Sequence, residues 1–279
     1  MLKYIFVVAV LTLNINIFLS CKAAPKNNKE TTTNTVIIQD TVFNKAIKTI
    51  HIFVALCDNK YQGIQPVPVA IGNGKQPASN LYWGCSLGIK SYFKASKNWT
   101  LIKTIANKDT VILERLIFKH NTTNTYLIAD AFDGEFIKIC THNFLQSCAG
   151  QVKNTETIYN TKIGTNGNAQ LLGYIGHNGL MDFNLENTYQ QADTLTRQAI
   201  ILACISKNYF APFLKAAGTQ PLVWTTGLMA PEAYTIHDAI EGYLQNKAAY
   251  EIKMLAALAY SKYQKCSLKA SSNLLVTGW

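Results

Sequence analysis

Residues 50–57 read IHIFVALC, a run apolar at nearly every position and rich in residues that favour strands. Successive side chains of a strand point to opposite faces, so a run apolar on both must be covered on both. Such a strand belongs inside a sheet with layers packed above and below. Two later segments, LLGYIGHNG (171–179) and QAIILACISK (198–207), begin with runs of the same kind. About twenty residues separate those runs, more than the dozen or so that a parallel crossover requires. Amphipathic stretches alternate with the apolar runs from residue 49 onward. The pattern predicts an α/β fold of three layers, a mostly parallel sheet flanked by helices, as one domain over 49–279. A composition of 48% hydrophobic and 15% charged residues in 279 is globular and excludes a disordered or collagen-like chain.

Between these runs the elements are read from period and punctuation. Gly, Pro and Asn make 58–77 a loop. ASNLYWGCSLGIKSYFKAS (78–96) places Leu81, Cys85, Ile89 and Phe93 at four-residue steps, which predicts a helix despite Gly84 and Gly88. WTLIKTI, VILERLIFKH and TYLIADAF supply strands between 99 and 132, the last two forming a hairpin that turns at Asn121–Asn124. A helix starts at Asp133, with Phe136, Ile137, Cys140 and Phe144 on one side. A Gly-, Asn- and Thr-rich stretch occupies 150–168. LVWTTG (222–227) predicts a strand, PEAYTIHDAIEGYLQ (231–245) a helix with Pro231 in its first turn, and 247–265 a C-terminal helix.

The first 21 residues, MLKYIFVVAVLTLNINIFLSC, carry one charge, Lys3, ahead of an apolar run that closes on a cysteine. This is the layout of a secretory signal. The Ser20-Cys21 ending resembles a bacterial lipoprotein signal, which implies cleavage after residue 20, lipid on Cys21 and a cell-envelope location. Phe18 and Leu19 depart from the preferred leucine and small residue before the cysteine. Residues 22–48 then read as a polar tether that holds the body to a membrane. The formal charge is +10, nearly all from lysine, since Arg115 and Arg197 are the only arginines. Scattered lysines without arginine forks argue against a nucleic-acid partner. The cysteines are Cys21, Cys57, Cys85, Cys140, Cys148, Cys204 and Cys266, with no C-x-x-C spacing. His51, His120 and His142 show no ligand spacing, so neither a metal nor another cofactor is expected.

Two apolar runs end in reactive residue types, His177 and Cys204. In a parallel sheet, neighbouring strands open at their carboxyl ends onto one crevice, where residues from different strands converge. A thiol needs a base or cation nearby to act as a nucleophile, and an imidazole supplies one and later protonates a leaving amine. Glycine near the histidine lets a backbone N–H approach a developing oxyanion.

An apolar block ending in a histidine and glycine, then one ending in Ala-Cys, resembles the caspase, legumain and gingipain group of cysteine peptidases. Here the blocks are YIGHNG and IILACISK. VWTTGLMAPEAYTIHDA resembles the strand and Thr-rich turn that follow the nucleophile in legumain-like members, and IHIFVALCDNKYQGI their opening strand and loop. The likeness in element order spans about 49–245. It implies a caspase/legumain-like fold, His177 and Cys204 as catalytic dyad, the N–H groups of Gly179 and Cys204 as oxyanion hole, and a peptide or protein substrate cut through a thioester. Asn178 departs from the group, which has glycine directly after the histidine, and the interval from His177 to Cys204 is short for it. A catalytically inactive surface lipoprotein that binds a peptide or envelope component is the alternative.

Other residues carry two readings each. Asp58 and Asn59 follow the first strand and either line a substrate pocket or cap their loop. Asp182 either orients the imidazole or serves its own turn. Glu232 and His237 are explained by helix polarity and packing, and Tyr82, Trp83, Tyr92 and Phe93 by the core.

Overall fold

A computed structural model describes residues 42–279. The signal segment, Cys21 and most of the 22–48 tether lie outside the described residues. Chain order gives β1 (Lys48–Ala55), α1 (Ile89–Ala95), β2 (Trp99–Ala106), β3 (Ile112–His120), β4 (Thr125–Phe132), α2 (Ile137–Cys148), β5 (Lys153–Ile158), β6 (Thr161–Asn166), β7 (Leu171–Ile175) and β8 (Gln198–Leu202). Then come α3 (Ser206–Ala217), β9 (Gln220–Thr225), α4 (Ala233–Leu244), α5 (Ala249–Gln264), α6 (Leu268–Leu274) and β10 (Leu275–Val276).

Eight strands form one mixed sheet in the order β10-β9-β8-β7-β1-β4-β3-β2, and β5-β6 is a separate hairpin. The five central strands, β9 to β4 in that order, run parallel; β10 and β3 are antiparallel to their inner neighbours. β1 sits in the middle, and its alternate residues face two cores. Ile50, Ile52 and Val54 join Ile236 and Ile240 of α4 and Ile252 of α5 on one face. Phe53 and Ala55 join Phe144 of α2 and Phe210 of α3 on the other. Helices therefore cover both faces, and the three layers follow from runs that are apolar at nearly every position.

The structure departs from the sequence reading in four places. The helix expected over 78–96 forms only at Ile89–Ala95; before it the chain turns, passing so close to the Ala78 carbonyl at Gly84 that a side chain there would collide. The stretch 150–168 contains the β5-β6 hairpin, in register from Lys153↔Asn166 to Ile158↔Thr161. Pro231 precedes the helix it was expected to open, since Glu232 is the N-cap of α4. Before β1, Ile47 is already buried with Ile158 and Ile163 of the hairpin, so the end of the expected tether packs as part of the body. Among the described residues no helix is long and apolar enough to cross a membrane.

Candidate active site

The sheet is built so that β7 and β8, adjacent and parallel with Ile175 opposite Leu202, release their chains at one edge. His177 follows β7 by two residues and Cys204 follows β8 by two. The two side chains line one hollow of about 380 Å³. Gly176, at φ +142°, makes the exit from β7; a Cβ there would lie 2.7 Å from the Ala55 carbonyl oxygen of the neighbouring strand.

His177 is buried and held on two sides. Its backbone carbonyl accepts from the Tyr174 hydroxyl at 2.9 Å. Its Nε2–H donates to Asp182 Oδ2 at 2.7 Å, which in the neutral ring puts the lone pair on Nδ1. The same carboxylate oxygen accepts from the Gly63 amide at 3.1 Å, so Asp182 also ties the loop after β1 to the histidine. Asp182 thus orients the imidazole, the first of its two sequence readings.

Cys204 stands where β8 turns into α3. Ile205 caps that helix in the left-handed region, φ +50° and ψ +34°, and its amide donates to Gly227 O at 2.9 Å. Ser206 and Thr225 interlock beneath the turn. Thr225 N–H donates to Ser206 Oγ at 2.9 Å, Ser206 N–H donates to Thr225 Oγ1 at 3.0 Å, and the Thr225 hydroxyl donates to Ala203 O. The thiol is half-buried; the Met229 amide donates to Sγ at 3.4 Å, and the thiol faces Met229 O at 3.7 Å. No hydrogen bond joins Cys204 to His177.

The expected oxyanion donor is placed differently. Gly179 N–H bonds back to His177 O at 3.1 Å inside the short turn Gly179–Met181, so this amide is spent. Among the described residues the amides of Asn178 and Cys204 have no acceptor in the chain. Asn178 lies at φ −80°, a conformation open to any residue, so glycine is not required directly after His177. Its side chain is fully buried. Nδ2 donates to Cys204 O at 2.6 Å and Oδ1 accepts from the Leu180 amide at 3.2 Å, riveting the histidine loop to the cysteine loop.

Asp58 and Asn59 do not line this hollow; they border a neighbouring depression with Lys60, Tyr61 and Lys75. Asp58 accepts from the amides of Lys60, Tyr61 and Gly74. Asn59 bonds both the amide and the carbonyl of Val67. They are loop-builders. Glu232 bonds the Tyr234 hydroxyl at 2.9 Å and the Gln264 amide at 3.0 Å, and burial pushes its carboxyl up. His237 bonds Ser96 and Asp238 away from the hollow.

Three of the other cysteines, Cys57, Cys140 and Cys148, are fully buried, whereas Cys85 and Cys266 are half-buried like Cys204. Burial raises the Cys57 thiol to about 11 and the Cys140 and Cys148 thiols well above their ordinary value, which fits apolar packing. All six cysteines among the described residues are unpaired, and no cluster of His, Cys, Asp and Glu suited to a metal occurs among those residues. Comparison of the chain with models of known families, with curated proteins and with solved structures finds no match in any of the three.

Proposed function

We propose that the protein is a cysteine peptidase of the caspase/legumain type, with Cys204 as nucleophile, His177 as general acid and base, and Asp182 orienting the imidazole. One observation carries this reading: a thiol and a carboxylate-oriented imidazole leave adjacent parallel strands and line the same hollow. His177 Nδ1 takes the thiol proton as Sγ bonds to the scissile carbonyl carbon. The oxyanion is met by the unspent amides of Cys204 and Asn178. Collapse breaks the C–N bond, and the proton passes from His177 to the leaving amine. Water, deprotonated by the same imidazole, then hydrolyses the thioester and restores the thiol. The resemblance of residues 1–21 to a lipoprotein signal supports an enzyme tethered by lipid on Cys21 in a bacterial cell envelope.

The test is Cys204→Ala beside native protein, read by cleavage of a mixed peptide library, with limiting iodoacetamide and peptide mass spectrometry to locate the reactive thiol. Cleavage lost with an unchanged thermal midpoint, together with selective alkylation of Cys204 that falls in His177→Ala, is the expected result. Cleavage that survives in Cys204→Ala refutes it.

The thiol's engagement with Met229 rather than His177 favours a second reading, a binding protein that uses the same hollow for a peptide. That reading requires uniformly slow alkylation of every cysteine.

A further inference from the structure

The hollow that holds Cys204 and His177 has a chemical character of its own. No carboxylate, guanidinium or ammonium group lines it. Its walls come from three segments: Ile64 and Val67 from the loop after β1, Tyr82 from the turn before α1, and Leu228, Met229 and Pro231 from the turn after β9. Ile64, Val67 and Met229 are also packed against the core that lies under α4, so the wall is continuous with the protein's own apolar interior. Tyr82 is buried, with its hydroxyl beside the Cys57 thiol. At the rim, Leu228 is 72% exposed and Met181 40%, extending apolar surface out toward solvent.

A charged side chain placed against these walls would be desolvated with no opposite charge among the lining residues, only the Gln65 carboxamide and the His177 ring beside it, whereas an aliphatic or aromatic one gains by leaving water. The neighbouring depression does carry lysines, Lys60 and Lys75, but it does not include the thiol.

We propose that this hollow is a specificity pocket for a large uncharged apolar side chain, of the leucine, methionine or phenylalanine kind, carried by the residue on the acyl side of the scissile bond. The inference rests on the acyl-transfer reading, because it is the nucleophile in the hollow that fixes which side chain enters it. Val67 is the position from which to change the pocket, since Asn59 holds its backbone through both the amide and the carbonyl, at 3.0 and 2.7 Å, and a new side chain leaves those bonds in place.

The test uses peptidyl acyloxymethyl ketones that differ only in the residue next to the reactive group, Leu, Phe, Asp or Lys, on the full chain. Rates of adduct formation at Cys204 are followed by mass spectrometry, and iodoacetamide, which has no side chain to seat, reports the thiol itself. The Leu and Phe probes are expected to label Cys204 at least about tenfold faster than the Asp and Lys probes. The Val67→Lys variant, checked for an unchanged thermal midpoint, is expected to narrow the gap between Leu and Asp by a similar factor. Charged probes that label as fast as apolar ones, while iodoacetamide still marks Cys204, overturn the pocket and leave the nucleophile standing. Unchanged selectivity in folded Val67→Lys overturns the pocket as well. Failure of every reagent at Cys204 overturns both.

Discussion

At the scale of single residues, the site depends on two side chains that spacing alone does not reveal. Asp182 fixes which imidazole nitrogen carries the proton, by accepting from Nε2 at 2.7 Å. On the proposed acyl-transfer chemistry, Asp182→Asn is therefore expected to lower kcat by about 100-fold or more while KM and the thermal midpoint stay close to native, because the side chain is 36% exposed and the asparagine oxygen can still accept from the Gly63 amide. Partial recovery in Asp182→Glu would mark a positioning role; full activity in Asp182→Asn would remove the residue from the machinery. In the sequence Asp182 reads either as an orienter of the imidazole or as one more aspartate in a turn, a place where aspartates are common for local reasons, and spacing does not choose between them. Its reach to His177 arises only once the turn at Gly179–Met181 folds the chain back. Asn178 reads in the sequence as an interruption of a His-Gly pair. Its bond to Cys204 O crosses between two strand ends, a relation no local window contains. His177 and Cys204 were legible because each closes an apolar run.

At the scale of elements, the turn between β8 and α3 is where backbone strain and side-chain bonding meet. A β-branched residue in the left-handed region costs roughly 1–2 kcal/mol, and Ile205 adopts it directly after the candidate nucleophile. The Ser206–Thr225 interlock offsets this by joining the turn to β9. Thr225→Val would strip an acceptor from the Ser206 amide and a donor from the Ala203 carbonyl. The expected cost is about 1–3 kcal/mol in urea unfolding, with a larger proportional loss in the alkylation rate of Cys204. An unchanged rate would mean that the turn is held by its neighbours alone. Elements with a clear period were legible, as the β3-β4 hairpin and α4 illustrate. The β5-β6 hairpin was not, because Ile158 and Ile163 are the only residues it gives to the core and the rest of both strands is polar. The crossover between β7 and β8 holds no helix, only the short turn at Gly179–Met181; its length was readable and its shape was not.

At the scale of the whole molecule, a bonded chain of side chains, buried at His51, Asp130 and Arg115 and reaching the surface at Lys103, joins six strands. His51 accepts the Asn166 amide at Nδ1 and donates from Nε2 to Asp130, both at 2.9 Å. Arg115 grips Asp130 with two bonds of 2.6 Å and reaches Glu156 at 3.2 Å, and Lys103 pairs with the same glutamate at 3.0 Å. Burial alone would raise the Asp130 carboxyl, but Arg115 and His51 hold it well below its ordinary 3.8. Burial lowers the His51 ring below 6.5, against the pull of Asp130. Both shifts mean that the unfolded chain binds more protons, so stability falls as pH falls, from about 6.5 for His51 and from below 3.8 for Asp130. The urea midpoint is expected to drop steadily from pH 7 to pH 4. Asp130→Asn should cost about 3 kcal/mol at pH 7, a gap that narrows toward pH 3. A midpoint that rises on acidification would contradict this account.

The central position of β1 also imposes an order of events. Its partners arrive late: His51 bonds Asp130, 79 residues further on, and Thr49 bonds Gln170, 121 residues further on. The first-made strand of the sheet waits for β4, complete at Phe132, on one edge and for β7, complete at Ile175, on the other. Closing such long loops is slow. With β9 complete only at Thr225 and β10 at Val276, synthesis is largely over before the sheet can close, so time, as well as geometry, separates the nascent chain from the hollow that holds Cys204 and His177.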